Sequence, residues 1–98
     1  MPVNKKDILN TLRDIKPILQ QDYYLTELAL FGSYARDEQT EKSDIDIMVV
    51  TNGGSFRDYC NLYYKLEESF PKHTVQMVNK LAIKPPYFER LKNDLLYV

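Results

Sequence analysis

One cysteine, one histidine, three glycines and no tryptophan are spread over 98 residues. The lone Cys60 cannot close an internal disulfide. With only His73 beside it, it cannot supply the four ligands of a structural zinc site either. Long apolar runs are also missing. The strongest, Ile47-Met48-Val49-Val50, is far short of the ~20 residues that span a bilayer. The stretch from Met1 to Asp7 carries no apolar segment of a signal peptide, so the reducing cytoplasm is the expected location. Neither charge sign dominates: 13 lysines and arginines face 14 aspartates and glutamates, for a net charge of -1. A protein that holds nucleic acid by charge needs a basic face that releases counterions, so no direct nucleic-acid grip is expected. No repeat, low-complexity tract or linker divides the chain, and its length suits one domain spanning 1–98.

Periodicity supplies the elements. Ile8, Leu12, Ile15 and Leu19, with Leu9 beside them, recur at helical spacing from Lys5 to Gln20. Asn4 is placed to cap that helix, Asp7 suits its positive end, and Pro17 is expected to kink or shorten it. Leu25 to Phe31 reads as a strand ended by Gly32, Ser33 to Asp37 as a short helical turn, and Glu38 to Ser43 as polar loop. Asp44 to Val50, rich in β-branched residues, is a second strand, closed by Asn52-Gly53-Gly54. Ser55 can cap a second long helix whose Phe56, Tyr59, Tyr63, Leu66 and Phe70 form an apolar stripe for the core. Pro71 stops it, Thr74 to Val78 is a third strand, and Pro85-Pro86 open a last helix. The expected class is α/β (α+β): a small mixed β-sheet of three or more strands with helices packed on it.

Chemistry concentrates in Phe31-Gly32-Ser33-Tyr34-Ala35-Arg36 and Ser43-Asp44-Ile45-Asp46-Ile47. Between Ser33 and Asp44 lie ten residues. Gly32 at a strand end lets the backbone turn sharply and a ligand approach closely. Ser33 then opens a helical turn, where free N–H groups favour phosphate and the hydroxyl adds a donor. Asp44 and Asp46, two apart on a strand, project from one face, while Ile45, Ile47 and Val49 point to the core. Two adjacent carboxylates repel, and a hard cation such as Mg²⁺ relieves this while keeping places for water and substrate phosphates. These are the working parts of phosphoryl or nucleotidyl transfer. A lone Gly-Ser is usually a turn and a lone Asp-Ile-Asp a solvated strand end; together, on strand–turn–strand, they are specific. A serine hydrolase using Ser33 and His73 is disfavoured, because Phe31 and Ala35 stand where a nucleophile elbow needs glycines.

Over nearly its whole length the sequence resembles the minimal nucleotidyltransferases of the DNA polymerase β-like superfamily. The resemblance implies the polymerase β-like nucleotidyltransferase fold. It also implies that Gly32, Ser33 and Arg36 serve the nucleotide triphosphate, and that Asp44 and Asp46 bind Mg²⁺ or Mn²⁺. The third strand would lie beside Asp44 and Asp46, with the third catalytic position at Gln76. There the family normally carries a carboxylate that completes the metal site and helps deprotonate the attacking hydroxyl. Glutamine is a weaker, neutral ligand and no base. Glu27 is too far along its strand to replace it, about 16 Å from Gly32 at roughly 3.3 Å per residue. A second departure is Asp37, where the family often has glycine.

The implied activity is Mg²⁺-dependent transfer of a nucleoside monophosphate, AMP from ATP, to a hydroxyl. Larger relatives grip base and acceptor with extra domains, so a separate protein is expected to supply that surface. The resemblance points to a toxin of the HEPN (higher eukaryote and prokaryote nucleotide-binding) class, silenced by AMP on a tyrosine. The alternative is a binding module: an antitoxin that occludes its partner without catalysis, which Gln76 favours. A plain nucleotide sensor would keep the site and lack a toxin.

Overall fold

Asn4 opens the first helix by accepting the N–H of Asp7 on its side chain at 2.9 Å. In this computed structural model, residues 3–98 are described; Met1 and Pro2, part of the stretch read for a leader, lie outside them. Helix α1 (Lys5–Tyr23) continues past Pro17, so the expected shortening does not occur. Pro17 and Arg13, whose carbonyl loses its partner, are both exposed, and water can take the missing bond. Ile8, Leu12 and Leu19 on the opposite side are fully buried and hold the helix to the sheet.

Strands β1 (Leu25–Phe31), β2 (Ile45–Thr51), β3 (Val75–Asn79) and β4 (Leu96–Tyr97) form one sheet in the order β3-β2-β1-β4. β1 pairs antiparallel with β2 and β4, and β2 pairs parallel with β3, so the sheet is mixed as expected. The short β4 was not legible in Leu96-Tyr97-Val98. Parallel pairing of β2 and β3 requires a crossover, supplied by α2 (Phe56–Ser69). Ser55 and Asp58 close its start in a reciprocal capping box.

The stripe expected on α2 needs correction. Tyr59, Leu62, Leu66 and the capping Phe70 face the core, whereas Phe56 is 81% exposed and Tyr63 turns its hydroxyl to Glu67 at 2.9 Å. Two stripes run along this helix, and the aromatic spacing merged them.

The sheet is buried on both faces. On one, Leu28, Leu30, Ile45, Ile47, Val49 and Val75 meet the apolar sides of α1 and α2. On the other, Ala29 and Met48 are also fully buried, although they do not belong to that cluster. The stretch from Lys80 to Asp94, which includes α3 (Pro85–Leu91), is tied to this side of the sheet through the Lys80–Ala82 turn, which contacts β2, and through its two ends. Lys80 pins one end by donating to Glu27 at 3.2 Å and to the Tyr97 hydroxyl at 3.3 Å. At the other end, Asp94 accepts from Arg36 at 2.7 Å.

Ser33 to Asp37 make a single helical turn, opened by the Arg36 N–H bonding the Gly32 carbonyl at 3.2 Å. Its close is a Schellman motif: Glu38 N–H bonds the Ser33 carbonyl at 2.9 Å, and Asp37 N–H bonds that of Tyr34 at 3.3 Å. Asp37 therefore takes the left-handed position, φ 58°, that glycine occupies most easily. Its carboxylate pairs with Lys5 at 2.8 Å, but this contact is largely exposed and contributes little. Both Asp37→Gly and Asp37→Ala lose the ion pair, and only the glycine relieves the backbone. Urea denaturation should find Asp37→Gly more stable than Asp37→Ala by about 1 kcal/mol.

Candidate active site

Strand pairing brings the predicted residues together at one end of the sheet. Phe31 faces Asp46 across the β1–β2 ladder, and Asp46 faces Gln76 across the β2–β3 ladder. Asp44 lies one residue ahead of β2, not within it as expected, and accepts a hydrogen bond from Gln76 Nε2 at 3.1 Å. Gln76 thus stands beside both aspartates, with its amide tied to one of them.

Beneath this row sits Gly32. Its φ of +77° is left-handed, and a Cβ there would lie 2.2 Å from Asp46 Oδ2. The Asp46 carboxylate therefore occupies space that only glycine leaves open. Ser33 follows at the start of the turn, so the phosphate-type turn and the carboxylate strand meet in direct contact.

Comparison with known proteins agrees with this geometry. The nucleotidyltransferase domain pattern matches residues 12–98. The chain belongs to the nucleotidyltransferase domain family. It is 44% identical over 96 residues to the "Putative protein adenylyltransferase MJ1379" of Methanocaldococcus jannaschii, covering 94% of this chain and 95% of that one. Its fold is similar to a solved structure described as a "putative minimal nucleotidyltransferase", with a TM-score of 0.79, 21% identity, and coverage of 96% and 95%. It is also similar to a chain in the complex of a tri-AMPylated Shewanella oneidensis HEPN toxin with an MNT antitoxin. There the TM-score is 0.55 at 23% identity, with coverage of 96% of this chain and 67% of that one.

Within this nucleotidyltransferase, electrostatics separate the two aspartates. Partial burial pushes the Asp46 carboxyl above the usual carboxylate range. The Asp44 charge adds to that shift, and Arg36 opposes it. Two carboxylate groups and an amide oxygen at one sheet end form an oxygen-rich, electron-rich donor set, which fits a hard divalent cation. Among the described residues no cluster of three or more histidine, cysteine, aspartate or glutamate side chains exists. Of the other acids, Glu27 is held by Lys80, Asp37 by Lys5, and Glu38 by Arg36 at 2.9 Å.

Arg36 is engaged. It donates from Nε to Glu38 and from a terminal nitrogen to Asp94, and these bonds raise its already high pKa. Asp94, which holds it, had no signal in the sequence, because a contact between residues so far apart leaves no local pattern. A cavity of about 610 Å³ lies between the start of α1, Tyr34, the Gln39–Glu41 loop and His73, and includes none of the predicted site residues. His73 lines that cavity, and Ser33 does not. The aspartates instead stand at the end of the sheet outside it.

Two consequences can be measured. Gly32→Ala must both adopt an unfavourable φ and displace the Asp46 carboxylate. A loss of roughly 1–2 kcal/mol in denaturation is expected, together with impaired binding at Asp46. Asp46 is held above its unfolded pKa, so stability is full below the unfolded value and falls as pH rises through the folded one. Asp46→Asn should therefore melt at a higher temperature than the native protein at neutral pH. That advantage should vanish as pH drops below the ordinary carboxylate range.

Proposed function

We propose that this nucleotidyltransferase moves AMP from ATP to a hydroxyl on a partner protein, and that the partner is a HEPN-type toxin which it restrains as an antitoxin. The observation that carries this reading is the contact of Gly32 with Asp46, which joins the phosphate turn to the paired carboxylates. Support for AMP comes from the adenylyltransferase name of the Methanocaldococcus relative, and for the partner from the AMPylated HEPN toxin bound to an MNT antitoxin. The pattern of residues on the sheet end favours a substrate shared with a second protein, because the cavity elsewhere in the chain does not reach the aspartates.

Asp44 and Asp46 would hold Mg²⁺ or Mn²⁺, which supplies charge neutralisation for the phosphates when bound. Gly32 leaves room for the triphosphate to approach, and Ser33 donates to it from hydroxyl and backbone. Arg36 would reach a phosphate only by leaving Glu38 or Asp94. In the transfer the acceptor oxygen bonds to the α-phosphorus, the α–β anhydride bond breaks, and pyrophosphate leaves. The hydroxyl proton passes to solvent, since Gln76 cannot accept it.

A second reading is favoured by one contact. The Gln76 amide donates to Asp44, which satisfies that carboxylate without a cation and suits a module that binds and occludes its partner. The two readings separate experimentally. Calorimetry should show ATP binding with Mg²⁺ or Mn²⁺ that weakens strongly in EDTA and in the Asp44→Ala, Asp46→Ala double variant. Equal binding with and without metal would remove the two-carboxylate assignment. With the HEPN partner present, Gln76→Asp should label the partner with AMP at least about tenfold faster than the native protein, the lower range for a positioned base. A variant that binds ATP and partner yet transfers nothing would leave occlusion as the function.

A further inference from the structure

Helix α2 carries an apolar flank that nothing among the described residues covers. Phe56, Cys60, Tyr63 and Tyr64 follow one another at i, i+4, i+7 and i+8; Phe56 is 81% and Tyr64 59% exposed. Tyr63 and Tyr64 lie edge to face at 5.7 Å. The direction of this flank follows from its neighbours. Asp58 is on the α1 side of the helix: an added Cβ on Gly54 would meet the ring of Tyr24, the α1 cap, at 2.6 Å and Asp58 Oδ2 at 3.2 Å. At 3.6 residues per turn, the exposed stripe lies about half a turn from Asp58. It therefore points away from α1 and out past β3, the outermost strand on that side.

β3 itself is an open edge of five residues, Val75–Asn79, with no strand on its outer side among the described residues. Sheets usually protect such an edge with prolines, charges, bulges or brevity. Val-Gln-Met-Val-Asn contains no proline and no charge, and its register with β2 is unbroken from Val75 to Asn79. The opposite edge, β4, is protected by being two residues long. An unprotected strand edge and an unpartnered aromatic flank thus lie on the same side of the molecule.

We propose that this side binds a second copy of the chain, β3 against β3, giving a two-fold dimer with one continuous sheet. An open edge is completed by a strand, and the same strand antiparallel to itself satisfies the symmetry of an isologous contact. Because α2 is the crossover between two parallel strands, it runs opposite to β3, and the two-fold also sets the two α2 helices antiparallel. Arg57, near the start of α2, makes no ion pair among the described residues of its own chain. Antiparallel helices bring it towards Glu67 and Glu68 at the far end of the other α2, so charge as well as shape is self-complementary. The sheet extends in its own plane, which leaves Asp44, Asp46 and Gly32 uncovered. The proposal is independent of the catalytic reading.

Sedimentation equilibrium of the native chain, from low to high micromolar concentration, should show a reversible monomer–dimer equilibrium. Hydrogen exchange should show the outward amides of Val75–Asn79 becoming protected as the dimer forms. Phe56→Ser with Tyr64→Ser, at exposed positions, should weaken dimerisation at least about tenfold while circular dichroism is unchanged. If that double variant does not fold, the concentration dependence of β3 exchange in the native chain decides alone. A chain that stays monomeric with fast β3 exchange throughout overturns the proposal. So does a dimer that survives the double variant with β3 still exposed, or an α-helical partner that covers Phe56 and Tyr64 while β3 remains open.

Discussion

Two like charges at one end of a sheet are the constraint around which this nucleotidyltransferase is arranged. Partial burial of Asp46, with the Asp44 charge beside it adding a smaller push, disfavours its ionisation and raises its pKa. The surroundings answer that cost in small pieces. Gln76 donates an amide hydrogen to Asp44, Arg36 lends positive potential to Asp46, and Gly32 withholds a side chain so that the Asp46 carboxylate fits. Gln76 comes from β3 and Arg36 and Gly32 from the turn after β1, so the sheet order and register are as much parts of the site as its side chains.

Much of this was legible because it rests on local patterns. The caps at Asn4 and Ser55, the strands ending at Gly32 and Asn52, and the same-face placement of Asp44 and Asp46 all follow from short-range stereochemistry. The position of Gln76 beside Asp46 came from resemblance, and the parallel β2–β3 register bears it out. What failed did so for identifiable reasons. Pro17 predicts a kinked or shortened α1, yet the helix continues past it, because an exposed proline loses only a bond that water replaces. The aromatic spacing on α2 predicts one stripe where two faces share the helix, so that Phe56 and Tyr63 conceal the buried Leu62. The Asp94–Arg36 and Lys80–Glu27 contacts were invisible, since they depend on where the C-terminal segment crosses the second face.

That segment gives the fold an asymmetry of function. One face of the sheet is an ordinary apolar interface with helices. The other is divided, its middle covered by the stretch from Lys80 to Asp94 and its end left to the carboxylates. The cover is fastened by charged groups at both ends, and one fastening, Arg36, belongs to the turn that carries Ser33. Packing of the C-terminal segment and placement of the site are thereby physically continuous.

The contact between Gly32 and Asp46 has a consequence for how such a sequence can change. One small volume is claimed by two positions far apart in the chain, and it holds either an oxygen of residue 46 or a methyl group of residue 32. Shortening or neutralising Asp46 would free the volume, yet the left-handed φ of Gly32 would still resist any other residue. Glycine there answers to two independent demands, while the aspartate answers only to the chemistry. Drift in this chain should therefore reach the carboxylate before the glycine, and a sequence that kept the glycine but lost the acid would record a site that once held charge.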